Sequence, residues 1–122
     1  MILVDTPVWI DQQRGSAPHL TELLDQDLVA MHPAVMGELA CRSLADREVF
    51  LALLHGLPQI QPVGEEEVLF FIAIHRLYGR GAGYLDMHLL AAAAVNGVPF
   101  WTRDKRLAQI ASDLHIAYPP QP

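Results

Sequence analysis

The sequence predicts an α/β domain with a central parallel sheet and helices on its faces. Three features carry that expectation: short apolar runs of strand length, longer stretches with helical spacing between them, and a helix start or turn after nearly every run. At 122 residues the chain suits one domain, here taken as residues 1–122, since single domains cluster at roughly 100–150 residues. The candidate strands are Met1–Val4, Leu28–Met31, Gln59–Gln61, Val98–Thr102 and an edge strand Ile116–Tyr118, which gives a sheet of four to five short strands.

The first run stops at Asp5, and Thr6-Pro7 reads as a helix start with Thr6 as the cap. That helix carries Val8, Trp9 and Ile10 and is broken at Gly15-Ser16-Ala17-Pro18. His19–Asp25 places Leu20, Leu23 and Leu24 on one side of a short helix. His32-Pro33 opens the next, running to about Leu44, with His32 able to cap it; Ala45–His55 continues helical after a break. Glu65 to about Arg80 reads as a long helix with Val68, Leu69, Ile72, Ala73 and Leu77 inward, and Glu65-Glu66-Glu67 suit its first turn. A glycine-rich loop, Gly79–Gly83, leads to an alanine-rich helix over Leu85–Asn96, which Gly97 closes. Asp104–Ser112 forms the last helix. Trp9 and Trp101 read as core residues at strand ends, and Cys41, the single cysteine, as a small buried hydrophobe.

Composition excludes several classes. With 52% hydrophobic and 18% charged residues the chain is not disordered. Its longest purely apolar runs, Val68–Ile74 and Leu89–Val95, are seven residues each, against the roughly 20 of a membrane span. No signal peptide is visible, so a cytoplasmic protein is expected. One cysteine excludes an internal disulfide and any multi-thiolate metal site, and the six histidines lack metal-ligand spacing. The net charge of −6 argues against a simple electrostatic clamp on nucleic acid. The charge is uneven: the first 61 residues hold eight acids and three bases, the remaining 61 hold six and five.

Four acids occupy informative positions. Asp5 ends the first strand, Glu38 lies in the helix after the second, Asp86 opens the alanine-rich helix, and Asp104 follows Thr102 at the end of the fourth strand. In a right-handed parallel sheet all four can face the carboxyl edge, where functional groups gather. Each also has a plain structural use. Asp86 and Asp104 can cap helices, Asp5 can satisfy loop donors, and Glu38 can pair with Arg42 four residues on. Together at one edge they would repel one another without a cation between them, and an all-oxygen set suits Mg²⁺ or Mn²⁺.

Ile2-Leu3-Val4-Asp5-Thr6 with Trp9-Ile10, His32-Pro33 through Glu38-Leu39, Tyr84-Leu85-Asp86 with Leu89–Ala93, and Trp101-Thr102-Arg103-Asp104-Lys105-Arg106-Leu107 resemble the PIN domain. More narrowly, the chain resembles the VapC toxins of bacterial toxin–antitoxin pairs, in order and over nearly its whole length. The resemblance implies a single PIN-like domain and a metal-dependent endoribonuclease. Its acidic cluster would be Asp5, Glu38, Asp86 and Asp104, with Thr102 as the accompanying hydroxyl. It also implies a cognate VapB-type antitoxin, an RNA substrate and a homodimer. One departure stands out: Pro7 occupies a place where family members often carry Ser or Thr.

Asp5 and Asp86 are the expected direct ligands of Mg²⁺ (or Mn²⁺), with Glu38 and Asp104 holding its waters or a second site. Arg80, Arg103, Lys105 and Arg106 are candidate RNA-phosphate contacts around that cluster. The alternative reading is a weak or inactive binding module of the same fold. An aspartyl-phosphate phosphatase would need an acid where Pro7 stands, and a receiver-like domain would need paired acids at the first strand end.

Overall fold

The computed structural model describes residues 1–119; the last three positions of the expected 1–122 domain lie outside the described residues. Three parallel strands, β1 (Ile2–Val4), β2 (Val29–Ala30) and β3 (Phe100–Trp101), form a sheet of order β2-β1-β3. Ile2 and Leu3 pair with Val29 and Ala30, while Leu3 and Val4 pair with Phe100 and Trp101. Two expected strands shrink to single bridges at the sheet's edges: Gln59 on Met31 and Ala117 on Phe100. The Gln59 segment lies between Pro58 and Pro62, and proline cannot donate to a ladder.

Among the described residues seven helices surround the sheet: α1 (Thr6–Gln13), α2 (Pro18–Asp25), α3 (Pro33–Ala40), α4 (Arg47–Gly56), α5 (Glu65–Ile74), α6 (Tyr84–Asn96) and α7 (Lys105–Asp113). β1 is central and apolar, and Leu3 and Val4 are fully buried, as a strand covered on both faces must be. Trp9 is fully buried edge-on to Phe50 (centroids 6.1 Å apart), and Trp101 is buried as expected. Gly97 ends α6 in the left-handed region, φ 66°, where its amide donates to the Ala93 and Ala94 carbonyls.

Several boundaries differ from the sequence reading. Asp5, rather than Thr6, caps α1, accepting from the Thr6 amide. The helix from Pro33 stops at Ala40, short of Leu44, where the Arg47 guanidinium takes the Ala40 carbonyl at 2.7 Å. Cys41 caps that end and is exposed. α5 ends at Ile74, not Arg80. Arg76 turns left-handed (φ 54°), its amide reaches Ala73 O, and the Leu77 amide reaches back to Ile72 O at 2.9 Å. This is the Schellman arrangement, and the buried Leu77 is its apolar anchor. Val68 and Phe71 face the core with Ile72 partly buried, whereas Leu69 and Ala73 point outward. An unbroken apolar run from 68 to 74 offers no phase by which to choose the buried stripe.

Candidate active site

All four candidate acids line one cavity of about 320 Å³ at the carboxyl edge of the sheet. Each is placed by ordinary backbone logic. β1 delivers Asp5 as the cap of α1. α6 presents Asp86 in its first turn, where Oδ2 accepts from the Gly83 amide at 3.1 Å. Asp104 caps α7, its Oδ1 accepting from the Leu107 amide at 3.0 Å. Glu38 projects from α3, and its Oε1 accepts from the Thr6 hydroxyl at 2.8 Å. The cap reading of Asp86 and Asp104 is therefore correct, and so is their convergence. Three of the four negative charges sit at the positive ends of helix dipoles, which offsets part of their mutual repulsion. Glu38 bonds to Thr6 rather than forming an ion pair with Arg42.

Thr102 ties the set together from beneath. Its hydroxyl donates to Asp5 Oδ2 at 2.7 Å and accepts from the Asp104 amide at 3.1 Å. Asp5 Oδ1 accepts from the Thr6 amide at 2.9 Å, so its carboxylate is held from two sides. Asp5 is only 4% exposed. Burial pushes its carboxyl up from 3.8 to about 6, against the two hydrogen bonds that pull it down, and the negative charges of Asp86 and Glu38 add to the rise. A divalent cation in the cavity would relieve that cost, and the donors are all oxygens, which fits Mg²⁺ or Mn²⁺. Among the described residues no three His, Cys, Asp or Glu side chains are grouped closely enough to hold a metal by themselves.

The four candidate RNA contacts divide. Arg80 is bound to Asp113 at 2.8 Å and Arg103 to Asp11 at 2.6 Å. Lys105 and Arg106, in the first turn of α7 beside Asp104, are exposed. The sequence reading missed two residues. Thr6 carries the bond to Glu38, and its adjacency to Asp5 was the available signal. Arg42 lines the acidic cavity from just beyond the end of α3, and its place four residues after Glu38 was the available signal. His32 caps α3 as expected: its Nδ1 accepts from the Ala34 amide at 2.9 Å, and its buried Nε2 has no partner among the described residues. Burial, with His88 nearby, lowers it from 6.5 to about 4.

Comparison with known proteins agrees with this fold. The PIN domain family model matches residues 2–113. Ribonuclease VapC32 from two strains of Mycobacterium tuberculosis is 45% identical over 118 residues, covering 96% of this chain and 95% of the relative. The solved structure of FitAB bound to the IR36 DNA fragment shares the fold, with a TM-score of 0.63 and 19% identity, covering 96% of this chain and 92% of that one. The chain thus belongs to the PIN domain family, in its VapC-type branch.

Proposed function

We propose that this protein is an endoribonuclease toxin of the VapC type that hydrolyses RNA phosphodiester bonds with Mg²⁺, or Mn²⁺, at the four-acid cavity. The observation that carries the proposal is the meeting of Asp5, Glu38, Asp86 and Asp104 on one cavity of about 320 Å³. Asp5 and Asp86 would hold the ion directly, while Glu38 and Asp104 would hold its waters or help complete a second site. When bound, the ion supplies positive charge to the phosphate oxygens and lowers the pKa of a bound water. The remaining work belongs to the chain itself. Thr102 and the Thr6 amide fix the Asp5 carboxylate, so it need not reorganise when charge develops. The Thr6 hydroxyl fixes one oxygen of Glu38 and leaves the other for a water proton. Lys105 and Arg106 would grip phosphates beside the scissile bond, with Arg80 and Arg103 contributing less because Asp113 and Asp11 already engage them.

A cognate VapB-type antitoxin and a second copy of the chain are the proposed protein partners, acting in the cytoplasm. Exposed Leu69, Phe70 and Ile74 on α5 and Val95 on α6 support an apolar surface that a partner covers. No helix is long and apolar enough to cross a membrane among the described residues.

The test is RNA cleavage by purified parent and Asp5→Asn proteins across a magnesium titration. Parent activity should require the ion, and the variant should lose activity by at least about 100-fold, the scale seen when a transition-state stabilising group is removed. Calorimetric titration with Mn²⁺ should show binding to the parent and little to the variant. Undiminished cleavage by Asp5→Asn would remove the proposal, and Mn²⁺ binding without cleavage would favour an inactive binding module.

A further inference from the structure

A second cavity, of about 280 Å³, adjoins the acidic one and shares Ile10 and Arg42 with it. It lies between the C-terminal ends of α1 and α3, and its polar lining includes Gln13, Arg14, Arg42 and Ser43. We propose that this groove is a phosphodiester-binding track that carries the RNA backbone away from the four-acid cavity, with Arg14 and Arg42 contacting successive phosphates. The inference rests on the ribonuclease reading above and adds a binding site to it.

Charge accounting supports the assignment. The first 61 residues hold eight acids and only three basic residues, Arg14, Arg42 and Arg47. Two of those three meet in this one groove. The ordinary uses for arginines at such positions are already filled by other groups. At the end of α3, Arg47 donates to Ala40 O and Arg42 O. At the end of α1, the carbonyls of Ile10, Asp11 and Gln12 are taken by the backbone amides of Arg14, Gly15 and Ser16 and by the Ser16 hydroxyl. Among the described residues, neither the Arg14 nor the Arg42 guanidinium has a hydrogen-bond or ion-pair partner, although acids are plentiful. Two exposed, unneutralised guanidiniums in a groove leading into a carboxylate-lined cavity are suited to a polyanion. They also meet a need of the site, because four carboxylates repel an incoming phosphate chain unless cations flank them. Lys105 and Arg106 open α7 beside Asp104, which lines the acidic cavity but not this groove. A strand of RNA held by both pairs would run past the acids.

The probe is a labelled oligouridylate bound by Asp5→Asn protein in magnesium, with affinity measured from low to moderate salt. In single-stranded complexes each neutralised phosphate contributes about 0.7 to the slope of log affinity against log salt. Arg14→Gln/Arg42→Gln in that background should reduce the slope by about 1.4 and weaken binding near 0.1 M salt by about fivefold per arginine. Arg14→Lys/Arg42→Lys should restore most of the slope. Circular dichroism and melting temperature should match the background protein, since both side chains are exposed. An unchanged slope overturns the track, as does absence of oligouridylate binding at low salt. If the slope is unchanged while the Gln variant loses an associated protein, the groove belongs to that protein and the RNA assignment falls. The two readings separate cleanly. Magnesium-dependent cleavage by the parent with an unchanged slope removes only the track. A reduced slope in a chain that does not cleave RNA supports the track and removes only the nuclease.

Discussion

Burial raises the Asp5 carboxyl to about 6 and lowers His32 to about 4, so the two residues bend stability against pH in opposite senses. Folded Asp5 holds its proton more tightly than unfolded Asp5. Its contribution is complete below 3.8 and is lost as pH rises through about 6. Folded His32 resists protonation, so its contribution is complete above 6.5 and is lost as pH falls through about 4. Metal-free parent should therefore melt at a nearly constant temperature between these values. Asp5→Asn should melt lower as pH falls from 6.5 to 4, because only the His32 slope remains. At pH 7 the same variant should be more stable than the parent by up to about 3 kcal/mol, the cost of keeping that carboxylate charged while buried. His32→Asn keeps a capping acceptor, so it should show the reverse slope, with melting falling as pH rises. Calorimetric melts in EDTA across this range check all three, and added magnesium should raise the parent and leave Asp5→Asn unmoved.

Helix starts do most of the positioning, since three of the four acids sit in the caps or first turns of α1, α6 and α7. The loop before α6 must in turn be held against α7. Gly81 does this with φ +85°, and a Cβ there would come within 2.8 Å of Arg106 Nη1. Gly81→Ala should cost about 1 kcal/mol or more from the left-handed backbone alone. It should also displace Arg106 and loosen the approach of Asp86 to Asp104, weakening Mn²⁺ binding. Equal melting temperatures and equal Mn²⁺ affinity for parent and variant would contradict this. The helix starts were readable beforehand because proline, Asp, His and glycine at the boundaries carry their own mechanism. Helix ends were less so. The stop at Ile74 depends on Arg76, a non-glycine residue, adopting φ 54° so that Leu77 can reach the core. No residue type announces that. The exposure of Cys41 was hidden for a related reason, because the break after Ala40 is made by the side chain of Arg47, seven residues away.

Across the whole molecule, the positions of Asp5, Asp86 and Asp104 were legible because strand-end and helix-start logic places them without knowing any side-chain contact, whereas Glu38, inside α3, was legible through the resemblance to the PIN domain. Which cations face them was not legible. Spacing cannot reveal that Asp113 and Asp11 would occupy Arg80 and Arg103, while Arg14 and Arg42, far apart in sequence, would line one groove. The expected sheet of four to five strands becomes three with a bridge at each side, because pairing beyond β2 and β3 is limited to one residue. Amide exchange should accordingly be slowest at Leu3 and Asp5, whose amides bond into the β3 side of the sheet at Pro99 O and Trp101 O, and fast around Gln59 and Ala117. Comparable exchange at all these positions would argue against the central place of β1. That central place also governs the order of events during synthesis. Of the three strands β1 is made first, and its neighbours lie at residues 29–30 and 100–101, so its second partner follows long after the first. Thr102 and Asp104 arrive with that partner. A nascent chain stopped near Asn96 therefore lacks both the hydroxyl that fixes Asp5 and the last carboxylate, and the four-acid cavity is assembled only after residues 100–107 have been made.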